Sequence, residues 1–203
     1  MQNKMLIGIT GQIGSGKTEA ARIFAENGAF VISADKIGRD VVEKNPAVLQ
    51  KLVKVFGKEI LTPSGKLRRK YLARLAFVDD EHMRKLNNIV HPFLLKELRR
   101  QSKEAQKNYQ IVVIDAALLL DWDWDKVVDL TIVVHSTKRT QITRLVAKGY
   151  TPDEAEMRLR SQLRFTDFKA RADLVIYNNK SLNSLELRIK KILKNVIPKR
   201  VDC

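Results

Sequence analysis

The chain has a single cysteine, Cys203, among its 203 residues, so no internal disulfide can form and a reducing compartment is the expected setting. Its three histidines, His82, His91 and His135, show no metal-ligand spacing, and no Cys/His cluster exists; a zinc site is excluded. Apolar runs are short. None approaches the ~18–20 residues of a membrane span. The opening Met1-Gln2-Asn3-Lys4 leads into only about six apolar residues, too few for the core of a secretory signal. A cytoplasmic location is expected. Repeats, low-complexity tracts and flexible linkers are also lacking. Aromatic content is 6%, and no RNA-binding module is recognisable. A chain of this size reads as one domain, or one core carrying a large insertion, and can bury roughly 70% of its unfolded surface without a metal or disulfide staple.

Charge of one sign is what the sequence has in excess. Lysine and arginine number 38 against 23 acidic residues, for a net +15. Such a balance favours polyanionic partners, whether nucleic acid, anionic lipid or phosphorylated small molecules. Composition does not choose among them.

The order of elements narrows the choice. Met5–Thr10 is a near-continuous apolar run, as in a strand buried on both faces. A glycine-rich turn, an amphipathic stretch over 18–27 and a second apolar run at 29–32 complete a βαβ unit of a parallel sheet. From about Ile37 to Lys107 the pattern is helical, with a turn at Thr62-Pro63-Ser64-Gly65 and a helix end expected before His91-Pro92. Strands return at 111–115, 130–134 and 174–177. Helices are expected from about Thr137 to Lys148, after the Thr151-Pro152-Asp153-Glu154 start signal, and from about 184 to 195. The architecture is α/β, with helical excursions at about 37–107 and 137–170.

Gly11-Gln12-Ile13-Gly14-Ser15-Gly16-Lys17-Thr18 fits G-x-x-x-x-G-K-[ST] at every fixed position, between a buried strand and a helix. Glycines there let backbone N–H groups converge on phosphate oxygens at a helix N-terminus. Lys17 would reach the β- and γ-phosphates, and the Thr18 hydroxyl would ligate Mg²⁺. The competing interpretation is an ordinary glycine turn with a solvated lysine.

Asp35 follows the second strand, where ligands of parallel sheets bind. It can orient a hydroxyl toward a γ-phosphate, or simply cap the helix that follows. Asp115 ends the third strand and can hold Mg²⁺, directly or through water, or serve as a turn aspartate. The 137–171 segment carries nine basic residues against four acidic ones. Arginines closing over a triphosphate would stabilise charge on the transferring group; a solvated basic face is the alternative. The loop bearing Asp121, Trp122, Asp123, Trp124 and Asp125 lacks the glycine and distal glutamate of a calcium loop, and is taken as structural or substrate-lining.

With those residues in view, the chain resembles the dephospho-CoA kinase family. Ile7–Thr18 resembles its opening strand and P-loop, and Val31-Ile32-Ser33-Ala34-Asp35 its D-A-D segment. Leu86-Asn87-Asn88-Ile89-Val90-His91-Pro92 resembles its L-N-x-I-x-H-P signature. Gln141-x-x-Arg144 and Arg158-x-x-x-Gln162 resemble its lid, and Lys169, Ala172-Asp173 and Ile176-x-Asn178 the end of its core. This chain departs from the family pattern at Gln12, where glycine is usual, at Ser33, over Ala117–Asp121, and at Lys148.

The resemblance implies a three-layer P-loop fold with a five-stranded parallel sheet, a helical acceptor-binding insertion and a helical lid. The core would comprise 1–36, 108–136 and 171–203, the CoA-binding subdomain 37–107 and the lid 137–170. It implies ATP-dependent phosphorylation of the ribose 3′-hydroxyl of dephospho-CoA, with Mg²⁺ accompanying ATP. ATP would be bound by Ile13, Gly14, Ser15, Gly16, Lys17, Thr18 and Asn178. Asp35 would be the catalytic base beside Lys17. Arg144 and Arg158 would clamp phosphate, Arg68 and His91 would hold the acceptor, and Thr18, with Asp115, would face the metal. Neither nucleic acid nor membrane is an expected partner. Another P-loop small-molecule or nucleotide kinase is the nearest alternative, followed by a nucleic-acid-stimulated ATPase.

Overall fold

The computed structural model describes residues 4–195; Cys203 and the opening Met1–Asn3 lie outside the described residues. The chain divides into two compact units, one running up to Ser33 and from Ser102 onward, the other over Ala34–Gln101.

The first unit is built on a five-stranded sheet in the order β2-β3-β1-β4-β5, with all strand pairs parallel. Its strands are β1 (Met5–Thr10), β2 (Phe30–Ser33), β3 (Ile111–Asp115), β4 (Leu130–His135) and β5 (Leu174–Tyr177). Every residue of β1 is buried, because helices and loops cover both faces of the central strand. On one face α1 (Lys17–Glu26) and α9 (Leu182–Asn195) send Ala20, Ile23, Phe24, Leu185 and Ile189 against Ile7, Ile9, Ile132 and Val134. On the other, Gly8 leaves room for the Leu119 side chain, which an added Cβ would strike. The connections from β1 and β4 lead to opposite sides of the sheet, so the carboxyl ends of these neighbouring strands flank a topological switch point, where such sheets bind ligands.

Three further helices belong to this unit: α6 (Lys138–Val146), α7 (Pro152–Arg160) and α8 (Phe165–Ala170). Thr137 caps α6, and Thr151 with Glu154 forms the capping box expected for α7. The aspartate-rich loop is tied down by Arg171, which is bonded to Asp123, Asp125 and the Leu120 carbonyl.

The second unit is helical, with α2 (Ala34–Lys44), α3 (Pro46–Phe56), α4 (Arg69–Ala76) and most of α5 (Asp80–Asn108). The expected helix end before His91-Pro92 does not occur; α5 runs straight through Pro92. Proline removes a single intrahelical hydrogen bond there, while Val90, Leu94 and Leu98, at successive four-residue steps, are all buried. One continuous apolar stripe outweighs one missing donor.

Candidate functional site

The loop from Gly11 to Gly16 owes its shape to two close approaches. Gly11 (φ 145°) passes so near β4 that a Cβ would collide with the Val134 carbonyl oxygen. Gly16 (φ 95°) would drive a Cβ into the Asn178 carboxamide. Both positions therefore need glycine. Gly16 also caps α1, in the left-handed conformation and with no side chain accepting from the first turn. Helices α3, α6 and α7 are capped by Asn45, Thr137 and Thr151. The N–H groups that open α1 are thus left to an acceptor from outside the helix, and the helix dipole favours an anion there.

Lys17 begins α1, and its Nζ donates to Asp115 Oδ1 at 2.8 Å, with the two side chains only 11% and 8% exposed. Thr18 is exposed beside it. Thr18 and Asp115 offer hard oxygen ligands of the kind Mg²⁺ takes. Among the described residues no group of three or more His, Cys, Asp or Glu side chains forms a metal cage. That donor set fits a Mg²⁺ held mainly by phosphate and water oxygens.

Ser33, the last residue of β2, pairs in register with Asp115. Asp35 comes two residues later and is exposed in the first turn of α2. It does not cap that helix, which begins at Ala34. Its carboxylate in the first turn still complements the helix dipole.

The back of the Gly11–Gly16 loop is held by a polar network centred on Arg144. Its guanidinium donates to the carbonyls of Gly14, Ser15 and Asn178 and to Ser136 Oγ, all at 3.0–3.1 Å. Burial lowers its pKa. Asn178 Nδ2 donates to the Ser15 carbonyl at 2.9 Å, and Ser136 Oγ reaches the carbonyls of Ser15 and Asn178. Arg144 thus engages the loop's carbonyls, and Arg158 lies over the Tyr150 ring, 4.9 Å from its centroid. The two expected clamp arginines are occupied differently: one braces the loop, the other stacks on an aromatic ring.

Side chains beyond the expected site residues complete the network. Ser136 is one. Gln141 Nε2 donates to the Ile13 carbonyl at 3.2 Å, and Ile13 N–H donates to Gln162 Oε1 at 2.8 Å. The signal available was the helical spacing of Gln141 and Arg144, which puts them on one face of α6. At the end of β4, His135 stacks on Phe165 with centroids 3.6 Å apart, and burial lowers its pKa.

In the helical unit, Arg68 precedes α4, with its guanidinium 5.4 Å from the Tyr71 ring centroid; Arg74 lies 5.5 Å from the same ring. His91 is half-buried within α5.

The family model for dephospho-CoA kinase matches residues 5–184. A dephospho-CoA kinase of Corynebacterium glutamicum is 38% identical over 192 residues, covering 94% of this chain and 98% of its own. One from Bacillus cereus is 37% identical over 193 residues, covering 94% and 96%. Among solved structures, a Thermus thermophilus protein superposes with a TM-score of 0.80 at 28% identity, covering 96% of this chain and 98% of that one. A shikimate kinase of Acinetobacter baumannii shares the fold at a TM-score of 0.55 and 16% identity, covering 98% and 96%.

Proposed function

The chain belongs to the dephospho-CoA kinase family, and from that premise we propose how its residues phosphorylate the ribose 3′-hydroxyl of dephospho-CoA with ATP, giving CoA and ADP in the last step of coenzyme A biosynthesis. The observation that carries the proposal is the meeting of Lys17 with Asp115, in register with the strand end that leads to Asp35.

The triphosphate of ATP lies along Ile13–Thr18, with its oxygens taking the uncapped N–H groups of α1. Lys17 turns from Asp115 toward the β- and γ-phosphates. Asn178 and Arg144 act from behind the loop, fixing its carbonyls so that its N–H groups point at phosphate. Thr18 and Asp115 would hold Mg²⁺, which would supply neutralisation of the triphosphate's negative charge.

Asp35 accepts a hydrogen bond from the ribose 3′-hydroxyl and takes its proton late. Positioning and charge stabilisation supply most of the rate in a loose phosphoryl-transfer transition state, so this carboxylate chiefly orients the nucleophile. Arg158 leaves Tyr150 to meet the phosphates as the 137–170 lid closes. Residues 37–107, with Arg68 and His91, receive the acceptor. Both ligands are polyanions, which gives the net +15 a use without nucleic acid. Among the described residues no helix is long and apolar enough to cross a membrane, and we place the reaction in the cytoplasm.

The test is ADP release with dephospho-CoA, AMP, UMP, adenosine or no acceptor. Turnover with dephospho-CoA alone supports the proposal. Preferred use of a nucleotide, or ATP hydrolysis stimulated by RNA, overturns it.

A further inference from the structure

Two points of the phosphate loop hold the linker between α7 and α8. Gln12 Nε2 donates to the Leu163 carbonyl at 3.0 Å, and Gln141 Nε2 approaches Gln12 Oε1 at 3.5 Å. The neighbouring Ile13 N–H donates to Gln162 Oε1. The far end of the same linker is held separately, because Phe165 opens α8 and stacks on His135 of β4. The segment from Gln162 to Phe165 is therefore anchored to the loop at one end and to the sheet at the other. Helix α7, which carries Arg158, runs directly into it.

We infer that Gln12 is a positioning residue, which fixes the α7–α8 linker at the mouth of the phosphate loop and so sets the affinity for the triphosphate. The inference rests on the assignment of residues 13–18 to ATP. A carboxamide suits the task because it donates to the linker while accepting from α6, so one side chain ties two lid segments to the loop. The Ile13–Gln162 bond depends on the same geometry, since Gln162 immediately precedes the residue that Gln12 holds. Gln12 touches no reacting atom in this scheme. Its loss should weaken binding and leave the chemical step alone.

Three variants separate these roles. Gln12→Ala removes the side chain, Gln12→Met keeps its length without hydrogen bonds, and Gln12→Glu keeps the acceptor while setting a carboxylate against the Leu163 carbonyl. Calorimetric titration with MgATP in the absence of acceptor, steady-state kinetics and amide exchange over 162–165 are read together. Loss of these half-exposed hydrogen bonds should raise the ATP Kd and KM about three- to tenfold for Ala and Met. Amide exchange should quicken over the linker. The Glu variant should bind ATP more weakly than either, and kcat should stay within about twofold throughout for Ala and Met. ATP binding by Gln12→Met that equals the parent's overturns the inference, as does a fall in kcat at unchanged KM. A lowered melting temperature with normal ATP affinity also overturns it, by showing a merely structural contact. If the parent binds ATP but ignores dephospho-CoA, the acceptor assignment fails and the Gln12 inference stands; if the parent binds no ATP, both fall.

Discussion

The Lys17 ammonium and the Asp115 carboxylate form an ion pair at 2.8 Å, nearly shut off from solvent between the start of α1 and the end of β3. Each partner keeps the other's charge tolerable in a site that water hardly reaches. Removing one alone strands the other, which typically costs about 3–5 kcal/mol in buried pairs.

Lys17→Met should therefore abolish phosphoryl transfer and also lower stability, by about 3 kcal/mol. The double variant Lys17→Met/Asp115→Asn should remain inactive yet regain part of that stability, because no unpaired carboxylate is left. Chemical denaturation of the two variants beside the parent checks this. Equal stability of the single and double variants would show that the pair is not coupled.

Asp35→Asn separates chemistry from donor binding. Loss of a positioned base usually removes about 10²–10⁴ in rate. We expect kcat to fall at least 100-fold, at the low end of that range (about 2.7 kcal/mol), while the ATP Kd is almost unchanged. A fall of less than about tenfold would remove Asp35 from the catalytic role.

Arg144→Lys tests whether the arginine braces the loop. Lysine cannot reproduce a fork that serves four acceptors on three segments. The expected result is a loss of about 1–3 kcal/mol in stability without nucleotide, and an ATP KM raised about tenfold. An arginine acting only on the transferring phosphate would instead lower kcat and leave the melting temperature of the free protein alone.

The strands and the glycine turn at 11–16 were legible in the sequence because their signals are local: short β-rich apolar runs, and glycines at fixed offsets from Lys17. The same holds for α7, whose Thr151–Glu154 capping box is complete within four residues. Continuity of α5 was not legible, since Pro92 is a strong local breaker and the stripe of Val90, Leu94 and Leu98 that overrides it works through burial. The partners of Arg144 were hidden for a related reason. They are backbone carbonyls and a serine brought together from positions 14, 15, 136 and 178, and backbone acceptors leave no mark on side-chain spacing. Arg171 is a similar case, for its link to Asp123 and Asp125 spans more than forty residues.

His135 gives a pH dependence whose sign is fixed by its surroundings. Burial against Phe165 disfavours the imidazolium and lowers its folded-state pKa below the ordinary 6.5. The unfolded chain then binds the proton more readily, so the stability this residue contributes is present above about pH 6.5 and is lost as pH falls toward the folded pKa. An NMR titration should place the His135 midpoint below 6.5, and His135→Phe should flatten the acid side of the stability profile between that midpoint and about pH 6.5. A midpoint above 6.5 would contradict the assignment.

In the proposed reaction the terminal phosphate of ATP passes to the 3′-oxygen of dephospho-CoA at the loop headed by Lys17. Phosphorus NMR of a reaction containing MgATP and dephospho-CoA observes that transfer directly. ADP and a ribose 3′-phosphomonoester should appear in equal amounts, and neither with Lys17→Met. Inorganic phosphate accumulating while dephospho-CoA stays unchanged, or a phosphomonoester formed equally well by Lys17→Met, would contradict the proposal.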